Sequence, residues 1–319
     1  MSNLIAILAG EPNSINSEII AKAWKNKKKL KNIFIIGNYS ILKKQILKLN
    51  IKIPLVKIEK FEDFRRVEKL FVLDIPLKFD SAFNANLTEV QFYIFRSFDV
   101  AHNLAIDKKI LGFINAPIDK KIFNNRYLGV TEYLSEKNKC KNKEVMLIFN
   151  KKLSVVPLTT HIEIKNVTRK ITFSLIKTKM VALHKSYYKL FKKKPKIAIL
   201  GLNPHNSEKK INSVENKIIT PAIAELKKLK VNIKGPFPAD TAFNKKNITS
   251  YDVIVGMYHD QVLAPFKALY GYDAINLTLG LKYLRVSPDH GTAQDIVGLN
   301  KANPQSLINA INFLNKIND

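Results

Sequence analysis

Three histidines stand just past short runs of Ile, Val and Leu that are typical of buried β-strands: His161, His205 and His259. In open α/β sheets the carboxyl ends of the strands meet at the edge where ligands bind. Neutral imidazoles suit Zn, Co or Fe, and a set of three protein ligands leaves a position open for substrate. Any one of them alone is more often a turn or capping residue, but three in the same setting predict a divalent-metal site. Asp240 and Asp260 are candidates to orient an imidazole or to add a ligand.

A second polar segment reads DHGTAQD at 289–295 and is followed by Gly298 and Asn303. Such a loop lets the backbone approach a nucleotide while an acidic side chain bonds a ribose hydroxyl, although the same residues also make an ordinary turn and cap. The G-x-G-x-x-G fingerprint is absent after the first apolar segment, where GEPNSIN begins at Gly10. A Rossmann-type dinucleotide site at that first strand is therefore not expected.

Candidate anion binders form a third group: Lys267, Asn276 and Arg285. The planar guanidinium of Arg285 can grip a phosphate or a carboxylate through two bonds. A single Lys in so Lys-rich a chain is more often a solvated surface group. Arg285 is therefore the stronger candidate of the two cations.

The chain has 319 residues with 53 Lys and Arg against 26 Asp and Glu, a formal net charge of +27. Its lysines are spread from one end to the other, so we interpret them as a solvated surface rather than a nucleic-acid interface. A basic nucleic-acid-binding protein is the alternative from a different class, and it would bind RNA with steep salt dependence. A positive surface also concentrates small phosphorylated or carboxylated substrates.

A single cysteine, Cys140, excludes an intrachain disulfide and a Cys-rich zinc module and fits a reducing cytoplasm. No stretch approaches the ~18 uninterrupted apolar residues of a membrane span. The start of the chain lacks the basic and long apolar regions of a signal peptide. We expect a cytoplasmic globular protein with no membrane or nucleic-acid partner.

Apolar runs bounded by turn residues alternate with helix-like stretches, which predicts an α/β fold with buried parallel strands. The predicted strands are 4–8, 33–36, 110–115, 145–149, 154–158, 196–200, 253–256 and 275–279. The predicted helices are 17–24, 88–106, 168–191, 216–229 and 304–317.

Nine segments together resemble the 4-hydroxythreonine-4-phosphate dehydrogenase family of pyridoxal phosphate biosynthesis. They run in order over nearly the whole chain: GEP at 10–12, NAPI at 115–118, TEYL at 131–134, TTH at 159–161, GLNPH at 201–205, GPFPADT at 235–241, MYHDQ at 257–261, NLTLGL at 276–281 and DHGTA at 289–293. The last segment, with ANP at 302–304, is also similar to the nucleotide loop of isopropylmalate and isocitrate dehydrogenases. MYHDQ and DHGTA are specific in combination.

The resemblance implies two α/β/α lobes with an active-site cleft between them, as in isocitrate and isopropylmalate dehydrogenases. Residues 1–125 with 290–319 would form the nucleotide lobe, and residues 126–289 the metal and substrate lobe with the dimer interface. It also implies a homodimer in which the active site lies at the subunit interface and one metal-binding histidine comes from the partner.

The same resemblance assigns roles to individual residues. The implied metal ligands are His161, His205 and His259, with zinc as the usual ion and cobalt or magnesium as substitutes. The implied substrate contacts are Thr131, Lys267, Asn276 and Arg285. A hypothesis about the mechanism adds the candidate catalytic groups: Asp240 or Asp260 would orient an imidazole or accept the hydroxyl proton, and Lys267 would stabilise an enolate. The expected NAD contacts are His290, Gly291, Thr292, Asp295 and Asn303.

The expected reaction is NAD-dependent oxidation of 4-phosphohydroxy-L-threonine, followed by decarboxylation to 3-amino-2-oxopropyl phosphate. Two departures from the family bear on it. Val130 replaces a substrate-contacting His, which favours the alternative of a paralogue acting on 4-phospho-threonate or another phosphorylated hydroxy acid. NSIN at 13–16 and NSEK at 206–209 replace glycine-containing loops, where Asn is the least costly residue if the backbone needs positive φ. A phosphate acyltransferase of similar architecture is a third alternative, disfavoured because it has no use for three strand-end histidines.

Overall fold

The computed structural model describes residues 3–26, 32–124, 126–127, 129–271 and 273–318. The chain forms two compact units, unit 1 (residues 1–127 and 282–319) and unit 2 (residues 128–281). The chain returns to unit 1 at residue 282, whereas the sequence-based division places the return at 290. The reason is a strand at 284–288 that pairs with a strand of unit 1.

The strands in chain order are β1 Ile5–Leu8, β2 Ile33–Gly37, β3 Leu55–Ile58, β4 Leu70–Asp74, β5 Gly112–Asn115, β6 Val145–Phe149, β7 Ser154–Pro157, β8 Ile197–Leu200, β9 Ile233–Phe237, β10 Val253–Gly256, β11 Ile275–Leu279 and β12 Leu284–Pro288. The helices are α1 Asn16–Asn26, α2 Tyr39–Lys48, α3 Leu87–Ile106, α4 Val130–Lys137, α5 Ile164–Lys170, α6 Phe173–Phe191, α7 Thr220–Lys228, α8 Ala239–Ala242, α9 Lys245–Ser250, α10 His259–Tyr270 and α11 Gln305–Asn318. Strands and helices alternate, which confirms the predicted α/β class.

Unit 1 is built on a parallel sheet whose described strands lie in the order β3-β4-β2-β1-β5-β12. Strands β1, β2 and β5 are buried along their whole length, as expected where helices cover both faces of a parallel sheet. Asn38 caps α2, because its side chain accepts a hydrogen bond from the Ile41 amide at 3.0 Å. Because all of these strand pairs are parallel, the carboxyl ends of the strands lie at one edge of the sheet.

Unit 2 has the described strand order β11-β6-β7-β10-β8-β9. Here the expectation of parallel strands is wrong for β6, which runs antiparallel to both β11 and β7. A short turn joins β6 to β7, closed by the Asn150 amide donating to the Leu153 carbonyl at 3.2 Å. So short a connection can only join antiparallel neighbours.

One predicted helix, 168–191, is two helices in the structure. The break falls at Thr172, whose hydroxyl oxygen accepts from the Leu175 amide at 3.1 Å and caps α6. The helix predicted at 216–229 instead begins as a π-helical turn, Glu215–Ile219, that leads into α7. Among the residues described, no helix is long and apolar enough to cross a bilayer.

Candidate functional site

Two of the predicted metal ligands, His161 and His259, come together at the carboxyl edge of the unit 2 sheet. Strands β7 and β10 are parallel neighbours. Their pairing continues beyond the strands, because the Leu158 amide donates to the Gly256 carbonyl at 2.8 Å and the Thr159 hydroxyl to the Met257 carbonyl at 2.7 Å. The two imidazole rings that follow have centroids 5.6 Å apart and planes tilted by 40°.

The geometry of this pair fits one bound metal ion. Zn–N bonds of about 2.1 Å place two ligating rings roughly 5 Å apart between centroids. His259 Nδ1 lies 2.7 Å from Asp260 Oδ1, an arrangement that fixes the ring and leaves Nε2 for a ligand. The interpretation of Asp260 as an orienting acceptor therefore has a matching contact, although this carboxylate is largely exposed.

His205 lies in an exposed turn after β8. Within the described part of a single chain, no three His, Cys, Asp or Glu side chains form a group able to hold a metal. Residues 205–208 all have left-handed backbone angles, with φ between 48° and 55° and ψ between 28° and 42°. Each non-glycine residue there costs roughly 1–2 kcal/mol, so the turn is strained. In the NSEK segment residues 206–208 have positive φ, whereas no residue of the NSIN segment at 13–16 does.

A buried carboxylate, Glu215, holds this turn. Its Oε1 atom accepts from the amides of Leu202 and Asn203 at 2.9 and 2.8 Å, and its Oε2 atom from the Ser207 hydroxyl at 2.9 Å. The Asn203 side-chain amide adds bonds of 3.1 and 3.3 Å. Burial opposes ionisation of Glu215, but the hydrogen bonds from Asn203 and Ser207 outweigh it and lower the pKa of this carboxyl. The folded turn therefore favours the ionised form of Glu215.

Gln261 links two of the histidine-bearing loops of unit 2, those that follow β10 and β8. Its Oε1 atom accepts from the Met257 amide at 2.7 Å, and its Nε2 atom donates to the Gly201 carbonyl at 2.8 Å. Met257 precedes His259, and Gly201 begins the loop that carries His205. One side chain thus sets the ends of β10 and β8 relative to each other.

A second cluster in unit 2 contains two predicted substrate contacts. The Thr131 hydroxyl, in the first turn of α4, lies 3.5 Å from that of Thr278 on β11, the strand that also carries Asn276. Asn276 Oδ1 is buried and has no hydrogen-bond partner in the described structure, so it can accept from a ligand. Val130 begins α4 directly beside Thr131.

Three charged groups that the sequence reading missed lie beside this cluster. Glu132 Oε1 accepts from the Thr160 hydroxyl at 3.2 Å, next to His161. Lys179 is buried with its Nζ 3.9 Å from Glu144 Oε1. Burial lowers the pKa of Lys179, and the charges of Glu144 and Glu132 act in the opposite direction.

The remaining unit 2 candidates are at more open positions. Lys267 lies in the last turn of α10 and is half-buried. Asp240, in the first turn of α8, is exposed and accepts from the Thr241 amide at 3.0 Å. The Asp240 carboxylate is therefore exposed to solvent, whereas Lys267 is partly covered.

Arg285 belongs to unit 1, on β12, where it is 4% exposed. Its Nε atom donates to Asn115 Oδ1 at 2.6 Å, at the carboxyl end of β5. The sequence-based division places Arg285 in the second lobe with Thr131, Lys267 and Asn276, whereas in the structure it lies in unit 1 with the nucleotide segment.

The predicted nucleotide contacts also lie in unit 1. The Ile15 amide donates to the Thr292 carbonyl at 3.3 Å, which ties this segment to the loop after β1. His290 Nδ1 lies 3.0 Å from the Gly291 carbonyl, while its buried Nε2 has no partner in the described chain and can bond a polar ligand. Asp295 is exposed, and Asn303 Oδ1 accepts from the Gln305 amide at 2.9 Å at the start of α11.

An ion pair on α1, Glu18 with Lys22, holds the adjoining segment. Glu18 Oε1 accepts from Lys22 Nζ at 2.7 Å and from the Ala302 amide at 2.6 Å. Lys22 Nζ also donates to the carbonyls of Asn300 and Ala302, both at 2.9 Å. The spacing of four residues predicts the ion pair, but nothing in the sequence predicts partners near residue 300.

Comparison with known proteins agrees with the motifs. The family model described as pyridoxal phosphate biosynthetic protein PdxA matches residues 29–314. The chain belongs to this family. A 4-hydroxythreonine-4-phosphate dehydrogenase from Sulfurihydrogenibium sp. is 36% identical over 316 residues, covering 96% of both chains. Family membership confirms the resemblance drawn from the sequence segments and the expectation of an oxidoreductase.

Solved structures give the same picture of the fold. A crystal structure of 4-hydroxythreonine-4-phosphate dehydrogenase from Klebsiella pneumoniae superposes with a TM-score of 0.86 at 29% identity, covering 99% of each chain. An isocitrate dehydrogenase from Methylococcus capsulatus has a TM-score of 0.51 at 12% identity, covering 98% of this chain and 85% of its own. The second similarity concerns the fold alone and agrees with the predicted relation to that dehydrogenase class.

Proposed function

We propose that this chain is a dehydrogenase dependent on NAD and a divalent metal. It oxidises 4-phosphohydroxy-L-threonine and releases carbon dioxide to give 3-amino-2-oxopropyl phosphate for pyridoxal phosphate biosynthesis. The observation that carries the proposal is the pairing of His161 with His259, 5.6 Å apart at a strand-end edge. Membership of the family supports it, since curated relatives carry that enzyme's name.

His161 and His259 would hold the metal from one chain. Zinc suits imidazole ligands best, with cobalt or magnesium as substitutes. Because no third ligand joins the pair within the described residues of one chain, His205 from a second copy would complete the set in a homodimer. When bound, the cation supplies the Lewis acidity that makes the substrate hydroxyl a stronger acid.

The predicted substrate contacts would supply the charge and hydrogen bonds that the substrate needs. The Arg285 guanidinium and the Lys267 ammonium match its phosphate and carboxylate in charge. Thr131 offers a hydroxyl group, and Asn276 offers a buried oxygen that lacks a hydrogen-bond partner in the described structure. His290, Gly291, Thr292 and Asp295 would bind NAD, and Asn303 would hold the loop through its bond to the start of α11.

Proton transfer falls to a carboxylate, Asp260 or Asp240. It takes the hydroxyl proton while the C–H electron pair leaves as hydride, which NAD accepts, and the alcohol carbon becomes a ketone. The bond to the substrate carboxylate then breaks, carbon dioxide leaves, and the electron pair forms an enolate beside Lys267. A proton returned to carbon gives the product ketone.

A specific observation favours a second substrate. Val130 occupies the first position of α4, next to Thr131, and its side chain cannot form a hydrogen bond. A pocket lacking that bond would suit 4-phospho-threonate or another phosphorylated hydroxy acid. The metal and NAD contacts would be unchanged.

NADH formation tests these proposals. We expect NADH from 4-phosphohydroxy-L-threonine or from 4-phospho-threonate, with loss on chelation and recovery with zinc. Mixing His161→Ala with His205→Ala subunits should restore about a quarter of the sites, since random pairing leaves one intact site in each heterodimer. The matched control, His161→Ala with His259→Ala, should stay inactive because both residues serve one site from one chain. NADH formation in the presence of chelator, or recovery in the control, would reject the metal assignment.

A further inference from the structure

The turn that carries His205 has backbone angles that are unfavourable for the residue types it contains. Four consecutive non-glycine residues, 205–208, have left-handed backbone angles. In this region the β-carbon of a non-glycine residue lies too close to the backbone, which raises the conformational energy. Such backbone angles persist only where the surrounding structure imposes them. Local backbone bonds contribute, from the Asn206 amide to the Asn203 carbonyl at 3.2 Å and from the Lys210 amide to the Ser207 carbonyl at 3.0 Å. They close the turn but do not attach it to the rest of unit 2.

Two groups attach the turn to the rest of unit 2: the Asn206 side-chain amide donates to the Pro236 carbonyl at 3.0 Å, and Glu215 bonds to the loop on both sides of His205. One oxygen accepts from the amides of Leu202 and Asn203, which precede the histidine, and the other accepts from the hydroxyl of Ser207, which follows it. The side chain of Glu215 is almost wholly buried, with 1% of the residue exposed. Its position in the turn leading into α7 connects the loop to a helix packed on α6.

We propose that Glu215 is the positioning residue for His205: its carboxylate holds the left-handed turn in the shape that presents this imidazole as a metal ligand. The inference rests on the proposed function, because it takes His205 to be a ligand. Glu215 itself would touch neither the metal nor the substrate. Its effect would be to fix where the ligand stands before any ion arrives.

The chemistry of the site requires a carboxylate there. All the groups around Glu215 are donors, namely two backbone amides, the Asn203 side-chain amide and the Ser207 hydroxyl. A carboxylate accepts at both oxygens, whereas Glu215→Gln keeps the size of the side chain and turns one acceptor into a donor. The Ser207 hydroxyl can rotate to accept from that donor, but the Asn203 amide group cannot.

The test measures zinc affinity of the metal-free full-length protein by calorimetry. Groups that orient a metal ligand typically contribute 10–100-fold in affinity, so we expect Glu215→Gln to weaken zinc binding at least about tenfold. kcat/KM should fall with it, while the Kd for NAD stays unchanged. The matched control is Glu225→Gln on α7, a partly exposed carboxylate paired with Lys177 at 3.0 Å, which should bind zinc normally.

Amide hydrogen exchange over residues 203–208 of the metal-free protein gives a second measurement. Glu215→Gln should exchange faster there, whereas His205→Ala should not, because it removes the ligand and leaves the turn bonded. If Glu215→Gln does not fold, Ser207→Ala removes a single bond to the same carboxylate. It should show the same two effects at a few-fold size.

The outcomes separate the two proposals. Normal zinc affinity in Glu215→Gln, with loss in His205→Ala, would overturn the role of Glu215 and leave the metal assignment standing. Normal zinc affinity in His205→Ala would overturn the metal assignment, and the positioning role would fall with it. Weakened binding in both, with unchanged NAD affinity, supports both.

Discussion

Two strands of this chain share the sequence Ile-Ala-Ile-Leu, yet the loops that follow them shift the pKa of a buried carboxyl group in opposite directions. Strand β1 in unit 1 is followed by the loop with Glu11, and β8 in unit 2 by the loop bonded to Glu215. Both strands are fully buried, and both carboxyl groups are less than 5% exposed. The strands therefore do not account for the difference.

The polar partners account for it. Glu215 accepts bonds at both oxygens, and these lower its pKa against the effect of burial. Glu11 accepts at Oε1 from the Asn13 amide at 3.2 Å, while Oε2 is buried with no hydrogen-bond partner in the described residues. Burial raises the pKa of Glu11, and the charge of Asp119 adds to the rise against backbone hydrogen bonds. The Glu215 carboxylate is thus satisfied by its own chain, whereas the Glu11 carboxyl group keeps hydrogen-bonding capacity for a ligand or water.

Each loop also has a side-chain amide that braces it. Gln261 joins the Gly201 carbonyl to the Met257 amide, and Gln45 donates to the carbonyls of Pro12 and Ala82. The two glutamines therefore give a matched pair of positions. Removing either one leaves backbone groups without partners, but only Gln261 connects to the histidine edge.

The largest expected effect comes from these glutamines. Gln261→Leu and Gln45→Leu should each lower the free energy of unfolding by about 3 kcal/mol, because each leaves two backbone groups unsatisfied at roughly 1–3 kcal/mol apiece. Urea unfolding of the two variants measures this loss. Zinc calorimetry on the same proteins should show weaker binding in Gln261→Leu alone. Equal zinc affinities in the two variants would mean that the brace has no part in placing the histidines.

The same contrast explains which parts of the site could be predicted. His161 and His259 follow strands that pair as neighbours, and short buried apolar runs identify such strands directly. All eight predicted strands are present, because each has the apolar run that a buried sheet requires. Ligands delivered by secondary structure are therefore readable from the sequence.

The His205 turn was not readable in this way. Its shape depends on Glu215, ten residues further along and just before the predicted helix at 216–229. A glutamate in that position carries no pattern that distinguishes it from a solvated residue. The hydrogen bond from the Ala302 amide to Glu18 is even harder to predict from the sequence, since its two residues are 284 positions apart. Sequence periodicity indicates which residues are buried, but it does not indicate which polar groups form hydrogen bonds with each other.

Four strands were also missed, namely β3, β4, β9 and β12. Strand β9 contains Gly235 and Pro236, which are typical of turns, and β12 contains Arg285, a buried charged residue that bonds Asn115. Tertiary partners override local preference in both. The antiparallel direction of β6 depends on a turn of a few residues, which the apolar pattern does not record.

A pH series on Glu11→Gln sharpens the comparison of the two carboxyl groups. A raised pKa in the folded state means that Glu11 contributes its full stability below the unfolded value of 4.5 and loses it as pH rises. Glu11→Gln should therefore match the parent protein near pH 4 and be more stable at pH 7, by about 1 kcal/mol for relief of an unsatisfied buried group. Glu215→Gln should show the reverse, with its deficit largest at neutral pH and shrinking on acidification. Thermal unfolding at both pH values, with exposed Glu68→Gln as control, decides between these profiles.

The smallest expected effect concerns how the two loops obtain left-handed backbone. The loop after β1 places Gly10 at φ +69°, whereas the loop after β8 forces residues 205–208 into that region. Glu208→Gly should relieve roughly 1–2 kcal/mol of strain and lose about half of that to the greater freedom of the unfolded chain, for a net gain near 0.5 kcal/mol. Lys227→Gly in α7, an exposed position with helical angles, should instead lose about 1 kcal/mol. If thermal unfolding showed equal losses for both variants, the turn would not be strained at Glu208, and the bonds to Glu215 would have nothing to hold against.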